Sequence, residues 1–249
     1  MLKNELALIT GATSGIGAVY ARKLAGHNYD LILTGRRKEQ LNSLAQELIS
    51  KHSIKVETVI AELSDDADLE MLTDKIKNLP DLSMLINNAG FLSHCDFVDG
   101  DINLYENMVQ THILAIMKFT HAALQNMKKK NAGSIINVSS IGSYYPYPQS
   151  SVYCATKAFI SIFTETIAME LKDTAIRIQS LCPGMTATDI FERIGEDIRE
   201  LSAKRNVKFM SAEDVVYLSF EYLKENRVVC IPGDHNQLLV WQRATKRLL

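Results

Sequence analysis

Leu6-Ala7-Leu8-Ile9-Thr10-Gly11-Ala12-Thr13-Ser14-Gly15-Ile16-Gly17 is an aliphatic run that passes through three glycines into a helical pattern, Val19-Tyr20-Ala21-Arg22-Lys23-Leu24. Glycine serves two purposes in such a loop. The turn needs dihedrals that other residues reach only at a cost, and a missing Cβ lets backbone N–H groups approach a pyrophosphate at the helix N-terminus. The spacing here is G-x-x-x-G-x-G, not the general dinucleotide fingerprint. Three glycines also make an ordinary turn, but a strand before, a helix after and a second strand about 20 residues on favour a phosphate cradle formed by Gly11, Thr13, Ser14, Gly15, Ile16 and Gly17.

Outward from this loop, short aliphatic runs alternate with longer segments of helical periodicity, the pattern of repeated βαβ units. Strands are expected over 6–10, 31–35, 55–61, 84–87, 134–139, 177–182 and 228–231. They are almost wholly apolar rather than alternating, so both sheet faces should carry helices, and right-handed crossovers then give a doubly wound sheet. The expected fold is one α/β domain over 1–249: a Rossmann-type parallel sheet of about seven strands in the order 3-2-1-4-5-6-7. Helical segments 103–129 and 151–172 carry more apolar residues than one face against a sheet requires, either as a self-association surface or as extra core. The charged stretch 185–209 reads as an inserted lid, ending before Ser211, an N-cap followed by Glu213 and Asp214.

The composition narrows the ligand class. A chain of 249 residues, 47% hydrophobic, is long enough for one large core. Its 27 basic and 29 acidic residues give no reason to expect nucleic acid as a partner, which leaves small molecules. Cys95, Cys154, Cys182 and Cys230 form no C-x-x-C pair, and the histidines form no H-E-x-x-H, so no metal site is expected and a reduced, cytoplasmic setting fits. No leader and no integral membrane segment are expected, since no run reaches roughly 18 apolar residues.

The tip of the second strand bears on cofactor choice. An acidic residue there holds a ribose 2′-hydroxyl, whereas arginine accommodates a 2′-phosphate. Here Leu31-Ile32-Leu33-Thr34-Gly35 ends in Arg36-Arg37, so NADP(H) is favoured over NAD(H), with Arg36 as the phosphate ligand, helped by Ser14 and Arg37.

Further along stand Asn87-Asn88-Ala89-Gly90, Asn137-Val138-Ser139-Ser140 and Tyr153-Cys154-Ala155-Thr156-Lys157. Tyr153 and Lys157 share one helical face at i, i+4. With the glycine loop and Pro183-Gly184, in this order and at these spacings, the chain resembles the short-chain dehydrogenase/reductase family, compact single-domain branch, over nearly its whole length. The resemblance implies hydride transfer between a nicotinamide and a carbonyl or alcohol. Tyr153 would be the acid/base, Ser140 the hydroxyl that orients the substrate oxygen, and Lys157 a ligand of the nicotinamide ribose that lowers the tyrosine pKa. Bringing a phenol from about 10 to about 7 takes roughly 4 kcal/mol. An ammonium at about 4 Å supplies on the order of 4 kcal/mol at an effective dielectric of 20.

The resemblance also implies cofactor contacts from the backbone of Asn88, Ala89 and Gly90, and from Pro183, Gly184, Thr186 and Thr188 on the nicotinamide side. Glu62, beside Leu63, replaces the family's usual aspartate on the adenine side. His112 stands where family members usually carry an asparagine that supports a water leading to the lysine; it reads either as a proton relay titrating near neutrality or as a packed helical histidine.

The substrate pocket is expected between 91–97, 141–149 and the lid, with Tyr144, Tyr145, Tyr147 and Phe191 making it partly aromatic. This points to an apolar or aromatic ketone or a 3-oxoacyl chain. The amphipathic segment 236–249 reads as a pocket cover or part of a subunit interface, ahead of a membrane contact. Rival readings are a non-catalytic NADP(H) sensor and an epimerase-type relative. A homodimer or homotetramer is expected.

Overall fold

A computed structural model describes residues 4–189, 197–198 and 209–247. Most of the expected lid, Phe191 included, lies outside the described residues.

Seven parallel strands form the sheet: β1 (Leu6–Thr10), β2 (Asp30–Gly35), β3 (Val56–Ile60), β4 (Leu82–Asn87), β5 (Gly133–Val138), β6 (Ile176–Leu181) and β9 (Val229–Cys230), in the order β3-β2-β1-β4-β5-β6-β9. The expected order is thus found, with β9 as its seventh strand. Two-residue strands β7 (Thr186–Ala187) and β8 (Met210–Ser211) pair separately. They are too short for a periodic signal, and their pairing joins the two ends of the expected lid.

Alternation along each strand sends successive side chains to opposite faces. Ala7, Ile9, Leu31, Leu33 and Ile86 pack with α1 (Gly15–Gly26), α2 (Lys38–His52) and α7 (Ala212–Lys224). Leu8, Ile32, Leu85 and Ile135 pack with α3 (Asp66–Lys77) and α5 (Ala115–Lys130). Both faces are covered, which is why the strands read as continuous apolar runs. Phe119 is 1% exposed, and full burial of a side chain of this size is worth about 1.5–3 kcal/mol. Tyr20, Ser219 and Gln179 are paired with one another in the core: the Tyr20 hydroxyl donates to Ser219 Oγ at 2.6 Å, and Ser219 Oγ to Gln179 Oε1.

The helix expected over 103–129 is α4 (Ile102–Val109), a π turn (Gln110–Leu114) and α5 in succession. The second long helix, α6 (Ser151–Glu170), agrees with its expectation to within two residues. Both leave apolar side chains exposed, Ile162 at 62% and Met169 at 71% among them, so not all of the surplus is core.

The site sits at the carboxyl ends of β1, β4, β5 and β6, around the point where the strand order reverses beside β1. A buried polar ladder fixes these ends. Thr10 Oγ1 accepts from the Asn88 and Ala89 amides at 2.9 Å each. Asn87 Nδ2 donates to Asn137 Oδ1 at 2.8 Å, and Asn137 Nδ2 to Thr164 Oγ1 on α6 at 3.0 Å.

Candidate active site

The glycine loop leaves β1 through Gly11 (φ +65°) and enters α1 through Gly15 (φ +53°), both left-handed positions. A Cβ at Gly11 would stand 2.8 Å from Ala89 Cα, and one at Gly15 3.0 Å from Thr188 Cγ2 across the cleft. Gly17 serves differently: its bare Cα lets α1 approach the Gly11 carbonyl and Asn88. Ser14 is the N-cap of α1 but makes no side-chain cap bond, and the first turn carries no acid. The first turn of the helix thus contributes no acidic side chain of its own, an arrangement that suits a phosphate group at its N-terminus.

The loop opens on a cavity of about 550 Å³ that runs without interruption from Ser14 to Tyr153. Glu62, Leu63, Asn88, Ala89 and Gly90 line it, as do Ile16 and Pro183 through Thr186 with Thr188. These residues fit a dinucleotide, because the Cβ-free loop leaves room for a diphosphate and the basic tip of β2 adjoins it.

The two arginines differ in placement. Arg37 donates to Thr13 Oγ1 at 2.7 Å and Ser14 Oγ at 2.7 Å and pairs with Asp189 at 3.2 Å. Arg36 instead pairs with Glu62 at 2.8 Å. Burial pushes the Glu62 carboxyl up, but Arg36 and the Ser64 amide outweigh it and hold the group below its usual range. Arg37, not Arg36, is therefore the arginine that lies on the loop hydroxyls of Thr13 and Ser14. Sequence reasoning missed Asp189, whose partner is 152 residues away.

Ser140, Tyr153 and Lys157 converge on the same cavity. Ser140 follows β5 and accepts from the Gly142 amide at 3.0 Å. Lys157 is 4% exposed and donates to the Val138 carbonyl at 2.8 Å. Its ammonium lies 5.6 Å from the centre of the Tyr153 ring. Burial pushes the Tyr153 phenol up to about 12, opposed by its hydrogen bond with Ser140. Burial also lowers Lys157 to about 8. The lysine hydrogen bond is aimed at a carbonyl and the ammonium is itself desolvated, so burial dominates the shift of the phenol.

His112 is fully buried, with Phe91 N–H donating to Nε2 at 3.1 Å and Thr156 Oγ1 at 2.9 Å from Nδ1. Burial, then the charge of Lys157, push its pKa well below the usual value. Titration near neutrality, which a relay needs, is opposed on both counts.

On the substrate side, Phe91, Leu92, Ile141, Tyr145, Tyr147 and Leu239 form an apolar and aromatic wall, with His94 and Asn236 adding polar groups. Tyr144 is not part of it: its hydroxyl donates to Glu165 on α6 at 2.8 Å. Phe97 likewise points away, stacked on Tyr105. Asn236 and Leu239 belong to α8 (Asp234–Arg247), so the terminal helix covers the pocket. Among the described residues no helix is long and apolar enough to cross a membrane, and no group of three or more His, Cys, Asp or Glu is placed to hold a metal ion.

Residues 5–199 match the family model described as short chain dehydrogenase. Sulfoacetaldehyde reductase 2 of Chromohalobacter salexigens is 36% identical over 222 residues, 87% of each chain. The NADP-dependent 3-hydroxy acid dehydrogenase of Schizosaccharomyces pombe is 34% identical over 222 residues, 86% of this chain and 85% of that one. A short-chain dehydrogenase from Sphingobium yanoikuyae, solved in complex with NADPH, superposes with a TM-score of 0.89 at 29% identity, covering 98% of this chain and 94% of that one.

Proposed function

The chain belongs to the short-chain dehydrogenase family and is an oxidoreductase acting on CH–OH groups; from that premise we propose that it reduces apolar or aromatic ketones, or 3-oxoacyl groups, using NADPH. One observation carries the reading: Ser140, Tyr153 and Lys157 line the same cavity as the glycine loop and the arginines at the tip of β2.

Gly11, Thr13, Ser14, Gly15 and Ile16 hold the diphosphate, and Arg37 and Arg36 take the 2′-phosphate. Glu62, Leu63 and the 88–90 backbone border the adenosine, and Pro183, Gly184, Thr186 and Thr188 the nicotinamide. NADPH, when bound, supplies the hydride. Tyr153 donates its phenolic proton to the carbonyl oxygen, and Ser140 donates a hydrogen bond that holds the charge developing there. Lys157 binds the ribose and keeps positive charge beside the phenol.

The lining of the wall supports this substrate class. The relatives named above act on a sulfonated aldehyde and a hydroxy acid. Here the only lysines and arginines among the described lining residues are Arg36, Arg37 and Lys157, all assigned to the cofactor side. An anionic substrate would lack a fixed counter-charge on the described wall, whereas the aromatic and aliphatic surface suits an uncharged carbonyl.

The protein self-associates as a homodimer or homotetramer through the exposed apolar side chains of α4, α5 and α6, Val109, Met117, Ile162 and Met169.

The test is a panel of aryl and alkyl ketones, quinones, 3-oxoacyl thioesters, sulfoacetaldehyde and 3-oxo acids assayed with NADPH and NADH. Turnover of uncharged ketones or thioesters at higher kcat/KM than the acids supports the reading. Preference for the anions overturns the substrate class. Absence of any net cofactor turnover overturns the reaction and favours a sensor or an epimerase.

A further inference from the structure

The π turn Gln110–Leu114 brings Thr111 and His112 to the inside of an otherwise continuous helix. A π turn is a local departure from regular helix, found mostly at functional positions. Here it delivers a fully buried imidazole between two walls of the active site, and both ring nitrogens are used.

The tautomer follows from the partners. Phe91 N–H is a donor only, so Nε2 accepts and carries no proton. In a neutral imidazole Nδ1 then bears the hydrogen and donates it to Thr156 Oγ1. The Thr156 hydroxyl in turn donates a hydrogen bond to the Tyr153 carbonyl at 2.9 Å, so every group in the chain has the right polarity. Space is equally restricted: a Cβ at Gly90 would stand 2.9 Å from His112 Nε2 and 3.6 Å from Lys157 Nζ. The ring also meets the Phe91 and Tyr153 rings, at centroid distances of 5.5 and 6.0 Å.

We propose that His112 is a positioning residue: held as the Nδ1–H tautomer between the Phe91 amide and the Thr156 hydroxyl, it fixes the first turn of α6, and with it Tyr153, against the Gly90–Phe91 wall. The histidine moves no proton. It sets the distance between the proton donor and the wall on which the substrate carbonyl rests, and a misplacement of about 1 Å at such a point costs up to about 100-fold in rate. An extended amide side chain is shorter than an imidazole and would not span both partners.

The inference rests on the reduction proposed above, so Tyr153→Phe is assayed alongside. If Tyr153→Phe retains full turnover, the reaction reading fails rather than this one. The direct observable is the imidazole ¹⁵N spectrum of His112 in the wild-type protein, assigned by difference from His112→Asn. One protonated nitrogen at Nδ1 and one unprotonated at Nε2, unchanged between about pH 6 and 9, is the expected result. In kinetics, Thr156→Val removes the bridge while keeping the imidazole. It should lower ketone kcat about tenfold, with KM for NADPH changed less than about twofold, and Thr156→Ser should restore the rate.

The inference is overturned if the imidazole protonates within that range with kcat following it, or if the spectrum shows the Nε2–H tautomer. Wild-type kcat in both Thr156→Val and His112→Leu overturns it equally. Should a variant fail to fold, the wild-type spectrum still decides between the tautomers.

Discussion

The ammonium of Lys157 lies 5.6 Å from the centre of the Tyr153 ring and gives a hydrogen bond to the Val138 carbonyl at 2.8 Å. The lysine thus holds charge beside the phenol while anchored to the end of β5. Burial takes it down to about 8 from 10.5. The ammonium is present below that pH and lost above it, so ketone reduction should decline as pH rises through about 8. In Lys157→Met that inflection should vanish, and the optimum for alcohol oxidation should move upward. A pH–rate profile in each direction checks both; a profile unchanged by the substitution contradicts the role given to Lys157.

The same shift has a stability consequence. Between about 8 and 10.5 the unfolded chain holds a proton that the folded one has released, so stability should rise with pH across this window, by roughly 3 kcal/mol at most. Denaturant unfolding of wild type and Lys157→Met at pH 7.5 and 10 isolates the effect: the wild type should gain on the variant as pH rises.

Arg37 touches both loop hydroxyls, and Arg36 is shared with Glu62. Charge-assisted bonds to a phosphate are worth about 1.5–3 kcal/mol when sheltered and less at exposed sites. Arg37→Ala should therefore raise KM for NADPH by about tenfold, with Arg36→Ala costing less, while KM for NADH stays near wild type. An equal loss for NADH in Arg37→Ala would show that the residue props the loop rather than reading the 2′-phosphate.

Gly15→Ala combines a left-handed backbone position with a Cβ 3.0 Å from Thr188 Cγ2. Strain alone costs about 1 kcal/mol, and the methyl intrudes where the diphosphate is to lie. Nucleotide binding, followed by fluorescence, should weaken by more than about tenfold, a larger effect than the accompanying loss of stability explains. Binding equal to wild type would remove the loop from the cofactor site.

Ile162 and Met169 are among the most exposed apolar residues described. Ile162→Asp should shift sedimentation toward the monomer without changing the cavity. A wild-type protein that is already monomeric at micromolar concentration would refute the proposed association.

The fold was readable because its two signals are local. Apolar runs such as Leu6 to Ile9 and the glycine turn after them are consequences of burial on both faces and of left-handed dihedrals, and each is written in adjacent residues. Ser140, Tyr153 and Lys157 are legible through the family resemblance, which rests on the order and spacing of short motifs on one strand end and one helix. What escaped depends on distant partners. Arg36 and Arg37 look alike in sequence, and only Glu62 and Asp189 separate their roles. Tyr144, Tyr145 and Tyr147 form one aromatic cluster on paper, yet Glu165 draws the first onto α6. The acidity of Tyr153 depends on burial of the phenol and on the direction of the lysine hydrogen bond, which are tertiary facts.

Tyr153→Phe tests the central claim most directly, because it removes one oxygen from the cavity and leaves the glycine loop untouched. Consumption of NADPH with the best ketone of the panel should fall by about 1,000-fold or more while the affinity for NADPH, measured by fluorescence, stays within about twofold. Turnover within about tenfold of wild type would mean that the phenol does not deliver the proton, and the account of Ser140 and Lys157 built around it would be wrong with it.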